Sequence, residues 1–200
     1  MAYTTIRYKT YTDYLDADLG SDGNFRLLSN GEVIDLPPED IRNISIAEEL
    51  AFALKQIVSS KKLVKLSSIE LQVHPVGDGR VNRKPDLILL KPEHWTSVVA
   101  LKKGAILFGM LPPDFVAEVV SPGNENSDNY RRDYEWKRQQ YESWQIPEYW
   151  IIDRHRQQVT VLTLAGEQYT ERVYREAQRI VSAVFPTFDY SAGQLLAGED

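Results

Sequence analysis

The sequence predicts an α/β domain with a mixed central β-sheet flanked by helices, an N-terminal β-hairpin and a C-terminal antiparallel β extension. Three observations predict this class. Alternating apolar segments bounded by turn residues indicate strands near both ends, one continuous apolar run indicates a buried strand, and two longer segments repeat apolar residues at helical spacing. We expect a single domain over residues 1–200, with a core from about residue 25 to about residue 190.

The first elements are a hairpin and a helix. Two short apolar runs in "NFRLLSNGEVIDLPP" flank Asn30-Gly31, a dipeptide that is typical of hairpin turns. Asn43 or Ser45 can cap a helix over "ISIAEELAFALKQIVSS", where apolar residues recur every three or four positions. The hairpin is therefore followed by an amphipathic helix.

Strands dominate the middle of the chain. "LVKLSSIELQVHP" predicts one strand that ends at Pro75, and the turn "VGDGR" follows it without the lysine and helix of a phosphate-binding loop. "KPDLILLKP" predicts a short strand that is covered on both faces. Residues 92–112 predict a short helix and a strand near "AILFG".

The last third predicts a strand, a helix and a group of antiparallel strands. "FVAEVV" has the composition of a buried strand. A helix follows from about Asp128 to about Trp144, because capping residues precede this segment and Pro147 follows it. From "EYWIID" onward, apolar and polar residues alternate across two tight turns, which predicts three or four antiparallel strands.

Composition excludes several classes of protein. The 200 residues contain no cysteine, so disulfides and thiolate metal sites are excluded and a cytoplasmic location is expected. The first twenty residues lack the apolar region of a signal peptide. No apolar run reaches the roughly 18 residues that would span a bilayer, so we expect no membrane association.

The charge of the chain is unevenly distributed. The net charge is −6, but residues 51–110 hold ten Lys or Arg against four Asp or Glu. That segment is therefore +6 and the rest of the chain is −12. Such asymmetry permits a basic surface on an acidic protein, and the alternative is a solvated face without a partner.

Two carboxylates occupy positions in or beside apolar strands. Glu118 lies within "PPDFVAEVVSPGN", and Asp86 begins the "DLILL" run. If the two strands are neighbours, the carboxylates converge, and their repulsion requires either a bound proton or a cation between them. Mg²⁺ prefers such oxygen ligands. The alternative is structural: Asp86 as a turn residue and Glu118 as the partner of a surface lysine.

A lysine interrupts the aromatic face of the predicted helix. Tyr130, Tyr134, Tyr141 and Trp144 follow helical spacing, and the gap in their stripe falls on Lys137. An inward ammonium needs a counter-charge, which the two strand carboxylates or Asp133, one turn earlier, can supply. The alternative is a lysine whose charged end extends to solvent.

These residues resemble the PD-(D/E)xK nuclease superfamily, and most closely the bacterial restriction-endonuclease-like proteins of the Uma type. The resemblance is strongest in "FRLLSNGEVIDLPPE", "NRKPDLILL" and "AEVVSPG" followed by "KRQQYESWQIPEYWIID", and covers most of the chain. It implies a restriction-endonuclease-like core in which Asp86 and Glu118 bind Mg²⁺ or Mn²⁺. It also implies a lysine that orients or activates the attacking water.

The sequence departs from the superfamily pattern two residues after Glu118, where Val120 replaces the expected lysine. The resemblance to the Uma-type family implies that the lysine lies on the helix instead, with Lys137 as the matching position. Glu32 in the hairpin matches an acidic position of the family. Glu70 and Asp133 are further candidates for an inward carboxylate. Exposure of Glu32 on the hairpin is the alternative for that residue.

The expected function is therefore Mg²⁺-dependent cleavage of DNA, with Asp86, Glu118 and Lys137 as the catalytic residues. Cutting both strands of a duplex favours a homodimer with two symmetric sites. The alternative is a nuclease-like fold that binds nucleic acid or a protein partner without cutting it. A glycosidase, which would hold two acids without a nearby lysine, is a third hypothesis.

Overall fold

The computed structural model describes residues 7–20, 23–101 and 103–197. Residues 1–6, part of the segment considered above for signal-peptide character, lie outside this range. The helices are α1 Tyr11–Asp16, α2 Ile41–Ile57, α3 His94–Ala100, α4 Asp128–Arg131, α5 Lys137–Ser143 and α6 Ala192–Ala197. The strands are β1 Phe25–Leu27, β2 Val33–Asp35, β3 Val64–Leu66, β4 Glu70–Gln72, β5 Asn82–Arg83, β6 Leu87–Leu89, β7 Ala105–Ile106, β8 Phe115–Val119, β9 Glu148–Asp153, β10 Gln158–Ala165 and β11 Gln168–Arg175.

A six-stranded sheet with the order β11-β10-β9-β8-β6-β3 forms the centre of the fold. It is mixed, because β8 and β9 are parallel while the other neighbours are antiparallel. The two apolar strands β6 and β8 lie side by side inside the sheet, and every residue of both is buried. The predicted mixed sheet, its covered "DLILL" strand and its antiparallel C-terminal extension are confirmed.

Two smaller sheets lie beside the central one. The hairpin β1–β2 forms as predicted around Asn30-Gly31, and β5-β4-β7 forms a three-stranded sheet. An isolated bridge joins Leu28 to Arg80 and so connects the hairpin to the loop before β5. This connection brings hairpin residues close to β5, where the amide of Leu27 donates a hydrogen bond to Asn82.

Three features differ from the sequence prediction. The segment 63–75 forms two strands in different sheets, because the backbone turns at Ser67, which has a φ of 36°. Helix α2 begins at Ile41 rather than after Asn43, since Asp40 is its cap and accepts a hydrogen bond from the Arg42 amide. Helix α1 was not predicted, although Thr10 and Asp13 form a capping box at its start.

The two faces of the central sheet have different roles. On β8, Phe115 packs edge-to-face against Trp150 and Phe185, within the main apolar core. Glu118 lies on the opposite face, because side chains alternate along a strand. On that face Tyr141 of α5 packs edge-to-face against Tyr149 of β9. The polar site described below therefore lies on the side of the sheet covered by α5.

Within the described residues, no helix is both long and apolar enough to cross a membrane.

Candidate active site

The pairing of β6 with β8 brings Asp86 and Glu118 together. Leu87 lies opposite Ala117 in this antiparallel pair, so the same register places Asp86 beside Glu118. Residues that are directly opposite in an antiparallel pair extend to the same face of the sheet. Asp86 is anchored there, since its Oδ2 accepts a hydrogen bond of 2.7 Å from the Val119 amide. The predicted convergence of the two carboxylates is observed.

Glu118 is almost completely buried, with 2% of its surface exposed. Its Oε1 accepts a hydrogen bond of 2.5 Å from the hydroxyl of Tyr141. Burial and this carboxylate raise the pKa of Tyr141 well above its ordinary value, so the phenol remains a donor. The other carboxylate oxygen of Glu118, Oε2, lies 2.9 Å from Nζ of Lys137. Both carboxylate oxygens of Glu118 therefore have partners on α5.

The helix that carries Lys137 is not a regular α-helix. A π-helical segment, Arg132–Trp136, separates α4 from α5, and the amide of Lys137 donates to the carbonyl of Arg132, five residues earlier. Tyr149 anchors this segment by donating its hydroxyl to the carbonyl of Asp133, at 2.9 Å. Single π-helical turns occur frequently at functional sites. Here the segment ends immediately before Lys137.

Lys137 contacts two carboxylates. Besides Glu118, its Nζ lies 2.6 Å from Oδ1 of Asp133. Asp133 is buried, and this oxygen makes no hydrogen bond of good geometry within the described residues, so the contact is ionic. Both counter-charges that the sequence left open for Lys137 are therefore present together. The glycosidase hypothesis required two acids without a nearby lysine, and that condition is not met.

The two strand carboxylates repel each other when both are ionised. Burial, and then the neighbouring Glu118, raise the pKa of Asp86 from its usual 3.8 to about 8. Lys137 and the Val119 amide oppose this shift without cancelling it. A second positive charge beside Asp86 would relieve the remaining repulsion.

Asp86 and Glu118 fit a hard divalent cation. Both offer carboxylate oxygens, which Mg²⁺ and Mn²⁺ prefer, and the raised pKa of Asp86 indicates a site that lacks positive charge. Within residues 7–20, 23–101 and 103–197, no three Asp, Glu, His or Cys side chains form a complete metal-binding group. An ion held by these two carboxylates would therefore take its other ligands from water or from a substrate phosphate.

Asp86, Glu118, Asp133 and Lys137 line one cavity of about 620 Å³. Its walls also carry five cationic residues, here called the basic cluster: Arg26, Arg80, Arg83, Lys84 and Arg132. No sequence pattern predicts that this cluster belongs to the site. Arg80, Arg83 and Lys84 were visible only as part of the positive segment, and no pattern distinguished Arg26 or Arg132 from surface residues.

Two of the further carboxylate candidates lie elsewhere. Glu32 sits on the hairpin turn, where it pairs with Arg7 and Asn30, and it does not line the cavity. Of the two alternatives for Glu32, the structure therefore favours a hairpin acid that lies away from the site, where the turn directs it towards the N-terminal segment. Glu70 is buried but accepts hydrogen bonds from the hydroxyls of Tyr11 and Tyr14, so it belongs to a separate cluster that anchors α1.

Comparison with known proteins assigns the family. The family model described as "Uma2: Putative restriction endonuclease" matches residues 11–193. Among solved structures, the chain is similar to a protein of Anabaena variabilis described as "a putative nuclease belonging to DUF820". The identity is 16%, the TM-score is 0.60, and the match covers 92% of this chain and 96% of that chain. No curated protein matches the sequence.

The structural likeness supports a restriction-endonuclease-like fold, and the family model includes every residue that lines the carboxylate and lysine part of the cavity. The chain is a member of the Uma2 family of restriction-endonuclease-like proteins.

Proposed function

We propose that this protein is a divalent-metal-dependent DNA endonuclease. The observation that carries the proposal is the meeting of Asp86, Glu118 and Lys137 in one cavity, with Glu118 Oε2 and Lys137 Nζ 2.9 Å apart. Two carboxylates can hold a metal ion that activates water, and an ammonium can stabilise the charge that develops when a phosphodiester is hydrolysed. Membership of the Uma2 family supports nuclease activity.

In this proposal Asp86 and Glu118 hold Mg²⁺ or Mn²⁺. When bound, the ion supplies Lewis-acid activation of water and neutralises charge on the phosphate. The Val119 amide and the Tyr141 hydroxyl orient the two carboxylates. Asp86 and Glu118 therefore present oxygen ligands in a fixed arrangement before any ion binds.

Lys137 acts by electrostatic stabilisation in this proposal. Its contacts with Glu118 and Asp133 favour the ammonium form, and a cation stabilises the negative charge that develops on the phosphate. Asp133 acts as a positioning residue, because it holds the ammonium at the cavity wall. In this role Lys137 does not accept a proton from the attacking water.

The second candidate is a module that binds nucleic acid or a protein without cutting. The observation that favours it is Val120, which stands where the superfamily pattern has its lysine and is fully buried. The two candidates differ in their need for a metal. A nuclease requires a divalent ion at Asp86 and Glu118, whereas a binding module does not.

The test is a cleavage assay on single-stranded, duplex and supercoiled DNA with Mg²⁺ or Mn²⁺, with RNA as a parallel substrate. We expect metal-dependent cutting of DNA that is lost in Asp86→Asn and Glu118→Gln, together with loss of Mn²⁺ binding by calorimetry. Asp189→Asn, an exposed acid far along the chain, is the control. Cutting that continues in both site variants, or in EDTA, refutes the proposal, and DNA binding without metal binding favours the module.

We further propose a homodimer as the active assembly on duplex DNA. Two symmetric sites cut two antiparallel strands with the same chemistry. Analytical ultracentrifugation of the protein with and without duplex DNA tests this. A monomer that makes double-strand breaks in one encounter contradicts it.

A further inference from the structure

Two of the five cations in the basic cluster form no ion pair among the described residues, although Glu39, Asp40 and Glu48 line the same cavity and Asp133 lies 3.7 Å from Arg132. Asp78 is the carboxylate that pairs with Arg80, at 3.1 Å, and with Arg83, at 2.9 Å. Within the described residues, no carboxylate forms an ion pair with Arg26 or Lys84. These two cations are not fully exposed, and Arg26 retains only 6% of its surface.

Uncompensated cations in a buried wall are costly unless an anion is bound there. Burial, together with the neighbouring cations Arg83, Arg132 and Arg26, lowers the pKa of Arg80 to about 10, against the opposite effect of Asp78. Burial also lowers the pKa of Arg26; Glu70, Tyr14 and Glu118 oppose this shift, and Arg83 makes a smaller contribution in the same direction as burial. The cations therefore repel one another across the cavity wall, and a bound anion would relieve that repulsion.

The surrounding loop holds the cluster in place. Arg83 donates two hydrogen bonds to Asp78 and a third, of 2.7 Å, to Gln140 of α5. Gly77 has a φ of +57°, and a Cβ at this position would overlap the indole ring of Trp136. The loop "VGDGR" is thus packed tightly against the π-helical segment, and Asp78 is fixed between the two arginines.

The composition of the cluster suits phosphate. Arginine offers a planar fork of donors that matches phosphate oxygens, and charge-assisted hydrogen bonds of this kind are strong. The cavity volume of about 620 Å³ lies within the range of pockets that enclose small ligands. It therefore has room for a nucleotide unit in addition to the group that contacts Asp86 and Glu118.

We propose that the basic cluster is a second phosphate subsite, which binds a nucleic-acid phosphate next to the one that is cut. This inference rests on the proposed function, because the proposed scissile phosphate defines the neighbouring one. In this arrangement the basic cluster binds and positions the strand, while Asp86, Glu118 and Lys137 act on the linkage that is broken.

The first experiment measures binding of a fluorescent DNA oligonucleotide in EDTA, where no cleavage occurs. The variants are Lys84→Gln, whose side chain has no ion pair or hydrogen bond to lose within the described residues, and Arg132→Gln. The control is Arg172→Gln on β11, which is exposed and lies over the ring of Tyr174. We expect both variants to bind the oligonucleotide roughly tenfold more weakly than wild type. The control should bind it with wild-type affinity. The slope of log affinity against log salt should fall by about one for each lost contact.

The second experiment identifies the ligand group. An oligonucleotide in which every phosphate is replaced by a neutral methylphosphonate should bind wild type and Lys84→Gln equally. A difference that persists on the neutral strand overturns the proposal, as does wild-type affinity in both variants. Inorganic phosphate titrated by calorimetry tests the other source of the same chemistry: binding as tight as that of DNA would assign the subsite to free phosphate and overturn the nucleic-acid assignment.

The two proposals fail differently. A protein that binds DNA through Lys84 but does not cut with any metal keeps the subsite and loses the nuclease proposal. A protein that cuts DNA with the same KM in wild type and Lys84→Gln keeps the nuclease and loses the subsite. If both hold, Lys84→Gln raises KM about tenfold and leaves kcat within a factor of about two.

Discussion

The carboxylate side and the basic side of the cavity are built from different parts of the fold. Asp86 and Glu118 lie on adjacent strands of the central sheet, and Lys137 lies on the helix that covers it. Arg26 comes from the hairpin and Arg80 from the loop before β5. One side is fixed by strand register, and the other depends on how three separate segments pack together.

This difference explains why only one side is visible in the sequence. An acid in an apolar strand and a lysine in an aromatic stripe each contradict their local pattern, and such contradictions often mark functional sites. Arg26 or Arg132 contradict nothing around them, because an arginine in a hairpin or on a helix resembles any solvated residue. Four predictions test whether the two sides also act differently, beginning with the largest expected effect on activity.

The largest effect is expected at Lys137. Lys137→Met removes the cation beside Glu118 and Asp133, so kcat should fall about 100-fold while KM changes little. Steady-state kinetics on DNA with Mn²⁺ measure both constants. Arg138→Met, which removes the neighbouring cation and its exposed pair with Glu171, is the control and should retain activity. A rise in KM with unchanged kcat would assign Lys137 to strand binding and erase the distinction between the two sides.

An effect on stability is expected at Gly77. Gly77→Ala imposes a side chain on a left-handed backbone and overlaps Trp136, so the free energy of unfolding should fall by about 3 kcal/mol. Gly109→Ala, at a φ of +90° with open space around it, carries the backbone cost alone and should lose about 1 kcal/mol. Chemical denaturation measures both. DNA binding should weaken in Gly77→Ala alone, because the loop that contains Gly77 also holds Asp78. Equal losses of stability in the two variants would show that Trp136 does not constrain this loop.

A pH dependence of stability is expected in the metal-free protein. Asp86 has a folded pKa of about 8 against a usual 3.8, so between these values the folded state binds more protons than the unfolded state. Stability from this group is therefore present at low pH and is lost as pH rises towards about 8. Denaturation in EDTA across this range should show a decline that Asp86→Asn abolishes.

The same linkage predicts the behaviour of the metal. A divalent ion must displace the proton of Asp86, so Mn²⁺ affinity should increase with pH up to about 8. Calorimetry at several pH values measures this increase. Affinity that is independent of pH, or a decline in stability that persists in Asp86→Asn, would mean that Asp86 is ionised throughout and that its neighbours already balance its charge.

Local sequence patterns predicted the elements that carry the catalytic candidates. Asn30-Gly31 predicted the hairpin, and the continuous apolar run after Asp86 predicted an inner strand, which is buried at every position. The same patterns missed the break at Ser67, because apolar residues continue on both sides of it and the positive φ is imposed by two sheets that diverge. They also missed the π-helical turn before Lys137, since its spacing differs from an α-helix by one residue.

By itself, the sequence determined the α/β class, the strand that bears Glu118, the strand that Asp86 begins and the helical position of Lys137, because hydrophobic periodicity and turn chemistry are local properties. Only the tertiary structure decided that Tyr141 and Lys137 both bind Glu118, that Glu32 lies away from the site, and that cations from the hairpin, a loop and α5's preceding turn share its cavity. The physical reason is that burial and charge compensation depend on segments far apart in the chain, whose approach no local pattern records.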